Sequence, residues 1–247
     1  MQAVITGASS GIGRDMAILL AQRGYDLILV ARRRERLEEL NLPTKTKIFC
    51  YDLSKEEEVY AFYGEIASEP IDILINNAGF GLFGDFLHTS LEKEMGMLSV
   101  NVRAVHILTK LFLEKFCAEN HGFLMNVSSS AAFYSAPMLS AYYASKAYVY
   151  RLTMGIYEEL RQQKSGVCVS VLCPGPVKTE FDDVANVKFS LKGMESKAVA
   201  EYAIRKMFQK QTVIIPGLTM KLGKFFSRFV PEKLLLRLLY RIQKKKG

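Results

Sequence analysis

The stretch AVITGASSGIGRDMAILLAQRG, residues 3–24, decides the fold. Four residues of strand character (AVIT) run into a turn holding Gly7, Gly11 and Gly13, and a helical pattern follows at once. Glycines let a chain turn tightly and approach a pyrophosphate, whose charge is stabilised by the free N–H groups and dipole of the next helix. The segment therefore reads as a cradle for a dinucleotide. Gly7, Ser9, Ser10, Gly11, Ile12 and Gly13 are its candidate contacts. Their spacing, G-x-x-x-G-x-G, is not the commonest dinucleotide fingerprint, so the flanking strand and helix carry much of the argument.

Working outward, six more apolar runs bounded by turn residues follow: DLILVA, KIFCY, IDILINNAG, FLMNVSS, VCVSVLCPG and TVIIPG. Segments with helical spacing separate them. Seven buried, β-branched-rich strands alternating with helices predict a parallel sheet covered on both faces, because each parallel step needs a crossover. The expected class is α/β, a Rossmann-like doubly wound, seven-stranded parallel sheet. A chain of 247 residues with 49% hydrophobic and 23% charged residues suits one soluble globular domain. Residues 1–216 are expected to form its catalytic body, and 217–247 a basic helical extension.

No secretory signal pattern precedes the first strand, and Cys50, Cys117, Cys168 and Cys173 show no C-x-x-C spacing. Reduced thiols and a cytoplasmic location are the expectation. His88, His106 and His121 are scattered, so no metal site is expected.

The formal charge of +8 is concentrated rather than spread: nine basic residues and one acid, Glu232, lie from Lys221 onward. The remainder is balanced. In PEKLLLRLLYRIQKKK, Leu234, Leu235, Leu238, Leu239 and Ile242 form an apolar stripe beside Lys233, Arg237 and Arg241. Two readings stay open, a stripe packed on the body or a partner subunit, and a peripheral contact with an anionic membrane. No uninterrupted apolar run of about 18 residues suggests a transmembrane helix. Nucleic acid is not expected as a partner, since the tail lacks a basic patch interleaved with stacking aromatics.

In doubly wound folds the end of the second strand selects the cofactor: an acid there bonds a ribose 2′-OH, whereas arginine accommodates a 2′-phosphate. Here LILVARRRERLEEL places Arg32 and Arg33 at that point with no acid. NADP(H) is predicted over NAD(H). The alternative, a solvated helix start, accounts for Arg34 and Glu38 as an i,i+4 pair better than for Arg32 and Arg33.

SAYYASKAY, residues 140–148, sets Tyr142 at i,i+4 and Tyr143 at i,i+3 from Lys146, and both spacings share a helical face. Spacing alone does not choose between the tyrosines.

TGASSGIG, NNAG (76–79), NVSSS (126–130), YYASK and PGPVKT (174–179) stand in the order and spacing of the short-chain dehydrogenases/reductases, which the chain resembles over positions 1 to about 215. The resemblance implies that Tyr142 is the catalytic acid/base, with Lys146 lowering its pKa and binding the nicotinamide ribose. It further implies that Ser129 hydrogen-bonds the substrate oxygen and that Asn101 holds a water in a proton relay. By the same resemblance Asp52 and Leu53 meet the adenine, Asn76, Ala78 and Gly79 the adenosine ribose side, and Pro174, Gly175, Val177 and Thr179 the nicotinamide carboxamide. An NADP(H)-dependent oxidoreductase acting on a hydrophobic carbonyl or alcohol is implied, assembled as a homodimer or homotetramer. An NADP(H)-binding regulatory or scaffold protein is the alternative. Substrate choice is expected in a mobile loop over residues 180–195, where Phe181, Val184 and Phe189 hint at an apolar pocket, and in the basic tail.

Overall fold

The computed structural model describes residues 1–181, 193–227 and 229–244. The expected Val184 and Phe189 contacts of the substrate loop lie outside them. Strands β1 (Gln2–Thr6), β2 (Asp26–Val30), β3 (Thr46–Phe49), β4 (Ile73–Asn76), β5 (Phe123–Val127) and β6 (Cys168–Leu172) form from six of the seven apolar runs. A short ladder of β7 (Val177–Lys178) with β8 (Met194–Glu195) follows, and β9 (Val213–Ile214) is the last strand. The main sheet has seven strands, all parallel, in the order β3-β2-β1-β4-β5-β6-β9. The two-stranded ladder was not anticipated; two residues a side are too few for alternation to be read.

Around the sheet lie α1 (Gly11–Ala21), α2 (Arg34–Glu38), α3 (Glu56–Ile66), α4 (Leu91–Leu98), α5 (Val105–Glu119), α6 (Ser140–Gln162), α7 (Ser196–Phe208), α8 (Leu218–Phe226) and α9 (Glu232–Gln243). Because successive strand side chains point to opposite faces, each strand feeds two cores. Ala3, Ile5, Leu27, Leu29, Ile73 and Ile75 meet Met16 and Leu20 of α1 and Ala203 and Met207 of α7. Their alternate neighbours Val4, Ile28, Val30, Leu74 and Leu124 meet Phe62 of α3 and Phe112 and Phe116 of α5. Both faces are therefore dry. Truncating a fully buried ring such as Phe112 to Ala is expected to cost about 3–5 kcal/mol.

A six-residue π-helical turn, Ser99–Ala104, joins α4 to α5. The continuous run Leu91–Glu119 is thus 29 residues long and, by length and composition alone, apolar enough to cross a membrane. Charges interrupt this run, so it is not the unbroken apolar stretch that the sequence reading looked for, although its average is apolar. Half of its most apolar window is buried inside the fold, as befits a helix whose Leu108, Phe112 and Phe116 cover the sheet.

The chain-order reversal beside β1, whose neighbours are β2 and β4, opens a crevice at the carboxyl ends of the strands. The tail lies against the body on the same side. Lys224 Nζ donates to Tyr150 Oη (3.1 Å) and sits 4.7 Å from the Phe133 ring centroid. Ser135 Oγ donates to Glu232 Oε1 (3.3 Å). The expected leucine stripe divides: Leu239 and Ile242 line the crevice, Leu235 lines a shallower hollow beside α6, and Leu234 and Leu238 remain exposed.

Candidate active site

The crevice is a cleft of about 520 Å³ whose floor is made by the loops that leave β1, β2, β4, β5 and β6. The cleft receives Gly7, Ser9, Ser10, Gly11 and Ile12 from the first loop, and Arg32, Arg33, Asp52 and Leu53 from the next two crossings. Ala78, Gly79, Ser129, Tyr142, Lys146, Pro174, Gly175, Val177 and Thr179 complete the set of sequence-predicted residues that line it. Three predicted residues do not.

Asn76 is buried, and its Nδ2 donates to Asn126 Oδ1 (2.9 Å) and Thr109 Oγ1 (3.2 Å). As the last residue of β4 it points into the sheet's helix-covered face, and Asn77 takes the lining position instead. Gly13 likewise stands behind the wall: a Cβ there would lie 2.3 Å from Asn77 Nδ2. It sets how closely α1 approaches the β4 loop. Asn101, in the π-helical turn, accepts from Phe80 N (3.0 Å) and donates to Phe80 O (2.9 Å) and Ser145 Oγ (3.1 Å). Since Ser145 Oγ in turn donates to the carbonyl of Tyr142 (2.7 Å), Asn101 fixes the helix that carries the reactive side chains.

The end of the cleft at the glycine loop has the features an anion needs. Ser10 makes no side-chain cap bond, leaving the first-turn amides of the eleven-residue α1 uncapped by it. Gly11 has φ +55°, and a Cβ would lie 2.9 Å from Thr179 Cγ2, so a larger residue would fill the cradle. Beside it Arg33 Nη2 reaches Ser9 Oγ (3.3 Å) and Glu180 Oε2 (2.7 Å), while Arg36 Nη1 reaches Glu180 Oε1 (2.5 Å). The Arg33 hydrogen bond and the paired charges hold the Glu180 carboxyl below its usual range. Burial acts against ionisation of Asp52, but hydrogen bonds from Ser54 and the charges of Arg32 and Lys55 hold its carboxyl down overall.

At the other end, α6 presents two tyrosines and the geometry separates them. Tyr142 is the one whose phenol feels the Ser129 hydroxyl, which favours its ionised form. Tyr143 instead turns toward Tyr134, with ring centroids 5.8 Å apart, and accepts from Gln243 Nε2 (3.4 Å). Burial pushes the Tyr142 phenol up to about 12, partly offset by Ser129. Lys146 is pushed down to about 8, also by burial; its Nζ donates to Val127 O (3.0 Å) and lies 6.0 Å from the Tyr142 ring centroid. The expected lowering of the tyrosine pKa by the lysine is therefore not what the fold displays. Desolvation disfavours the charged form of each group and exceeds their mutual effect.

The short chain dehydrogenase family profile matches residues 1–188. The chain belongs to the short-chain dehydrogenases/reductases. This short-chain dehydrogenase/reductase is 31% identical over 252 residues to estradiol 17-beta-dehydrogenase 11 of Mus musculus, covering 98% of this chain and 84% of that one. It is 27% identical over 256 residues to very-long-chain 3-oxoacyl-CoA reductase of Anas platyrhynchos, covering 98% and 80%. A short-chain dehydrogenase from Sphingobium yanoikuyae, solved in complex with NADPH, matches with a TM-score of 0.81 and 30% identity over 88% of each chain. The family membership makes the protein an oxidoreductase of the type that binds a nicotinamide cofactor and acts on small molecules.

Several lining residues were not found in the sequence. Arg36 stands one turn beyond Arg33 and meets the Glu180 carboxylate from outside the lining, and nothing in the sequence sets it apart from the charged helix around it. Glu180 was read only as the start of a loop. Met220, Leu239, Ile242 and Gln243 come from the tail; the apolar stripe marks Leu239 and Ile242 for packing, but only the arrangement of α8 and α9 brings them to the cleft.

Proposed function

We propose that this short-chain dehydrogenase/reductase interconverts a hydrophobic carbonyl compound and its alcohol using NADP(H), with Tyr142 as general acid/base. The observation that carries the reading is a single cleft lined by Ser129, Tyr142 and buried Lys146 and, beyond the glycine loop, by Arg33 and Glu180, with Arg36 closing on the same Glu180 carboxylate from behind. The residues present fit the cofactor: the uncapped start of α1 and Gly11 suit a pyrophosphate, Asp52 an adenine edge, and two guanidinium groups already clamping a carboxylate suit a 2′-phosphate. Bound there, NADP(H) supplies the hydride in reduction and accepts it in oxidation.

The chain's own groups handle the proton. As charge develops on the substrate oxygen, Tyr142 Oη gives it a proton and Ser129 Oγ donates a hydrogen bond. A phenol with a pKa of about 12 stays protonated at neutral pH, which suits reduction. Lys146, brought down to about 8, remains mostly charged at pH 7 and favours the phenolate that forms when the proton leaves. Asn101, through Ser145, holds Tyr142 in line.

Phe80, Leu139, Phe181, Met220, Leu239 and Ile242 make the remaining lining apolar, supporting a hydrophobic ketone, aldehyde or 3-oxoacyl substrate. Gln243 is 2% exposed and its Oε1 is buried with no hydrogen-bond partner. It supplies one acceptor for a hydroxyl or amide N–H carried by such a substrate. Homodimer or homotetramer formation through α5 and α6 belongs to the same reading, and light scattering on eluted protein measures it.

The test is loss of nicotinamide absorbance with NADPH and, separately, NADH over ketones, aldehydes and 3-oxoacyl thioesters. Turnover preferring NADPH and abolished by Tyr142→Phe is expected. Turnover that survives Tyr142→Phe, or a clear preference for NADH, overturns the catalytic or the cofactor assignment respectively.

A further inference from the structure

Ten of the seventeen large hydrophobic side chains that stand exposed among the described residues fall between Leu218 and Ile242. Their arrangement in α8 is inside out. Lys221 and Lys224 turn toward the body, where each nitrogen meets a tyrosine hydroxyl (Tyr202 at 3.2 Å, Tyr150 at 3.1 Å) and an aromatic face. Leu222, Phe225, Phe226 and, just beyond the helix, Phe229 are 46–70% exposed. Phe225 stacks against both other rings at 5.4 and 5.3 Å, so an aromatic cluster is presented outward. A segment with aromatics out and ammonium groups in is not built to face water.

In α9 the exposed row Leu234–Leu238 adjoins the row Lys233–Arg237–Arg241, at the same four-residue period. These three cations make no ion pair among the described residues. Apolar side chains bordered by unpaired cations match a surface that offers acyl chains beneath anionic headgroups. A second copy of this chain fits poorly, because a two-fold contact through this face would set the cations of α9 against their own images.

We propose that α8 and α9 form a docking face for the surface of an anionic lipid bilayer. Leu222, Phe225, Phe226 and Phe229 enter the acyl boundary, and Lys233, Arg237 and Arg241 meet the headgroups. As α9 turns Leu239 and Ile242 to the cleft from its other side, docking brings the wall of the cleft next to the lipid.

Flotation of the full chain with vesicles of phosphatidylcholine, alone or with added phosphatidylglycerol, tests this without reference to turnover. Binding to the anionic vesicles that weakens with salt is expected, with little binding to the neutral ones. Arg237→Glu/Arg241→Glu should lower the partition roughly 30-fold or more, and Phe225→Ser/Phe229→Ser should lower it comparably, with the thermal transition kept. The charge-reversal pair stays informative if the serine variant fails to fold. No flotation with anionic vesicles, or flotation unchanged by the charge reversal, overturns the proposal. So does an oligomer that dissociates in the serine variant while flotation is unaffected, since the face would then join copies of this chain.

Discussion

Two regions build one cleft by opposite means. The floor, from the glycine loop to Tyr142 and Lys146, is made at strand ends, where backbone geometry dictates the residue type. The outer wall, from Met220 to Gln243, is made by tail helices whose residues could serve equally well elsewhere. The difference teaches that the chemistry of such a site is carried by short local patterns, whereas its choice of substrate rests on how a distant segment packs.

Tyr142→Phe strikes the floor hardest. Loss of general-acid transfer should lower turnover by roughly 10²–10⁴-fold while NADPH still binds, and Tyr143→Phe should leave most of the turnover. Equal losses from the two variants would erase the distinction drawn by Tyr143 turning to Tyr134 and Gln243.

Lys146→Met should separate function from stability. The lysine's folded pKa, about 8, lies below its ordinary 10.5, so the folded state bears the cost of a buried cation below pH 8, and stability rises as pH climbs from 8 to 10.5. Removing the charge should therefore raise the melting temperature at pH 7, by about 5 °C, and abolish turnover. The gain should shrink across that window; a constant difference, or none at pH 7, would show that burial is not what depresses the lysine.

Arg33→Ala/Arg36→Ala should weaken NADPH binding by about tenfold or more and leave NADH binding little changed, measured by titration calorimetry. Glu180→Gln should tighten NADPH by a few-fold. Gln243→Leu should give the smallest effect, a few-fold change in KM toward substrates bearing a hydrogen-bond donor, with the NADPH affinity untouched. A change in NADPH affinity instead would move Gln243 from the wall to the floor.

The floor was legible because its constraints are local. AVIT followed by three glycines could hardly pack otherwise, and the Tyr142–Lys146 spacing is a property of one helix face. Where the reading slipped it slipped by one residue or one layer. Asn76 and Asn77 are both asparagines at the end of β4, and strand alternation turns only the first into the buried network with Asn126 and Thr109. Lys146 was expected to lower the tyrosine pKa because a neighbouring charge is visible in sequence and depth is not; burial won. The tail's part in the wall was legible but its particular residues were not, because Leu239, Ile242 and Gln243 meet the cleft through a tail that α8 anchors by Lys224 on Phe133 and Tyr150, contacts of long range in the chain.

The bridge from Glu180 to Arg33 and Arg36 makes the protein its own counter-ligand. A carboxylate joined to the site by the chain competes at an effective concentration of about millimolar, whatever the level of free nucleotide. On the NADP(H) proposal, an incoming 2′-phosphate has to evict it, and the two guanidinium groups then exchange one anion for another. A nucleotide without that phosphate offers them no replacement anion, and the bridge stays closed.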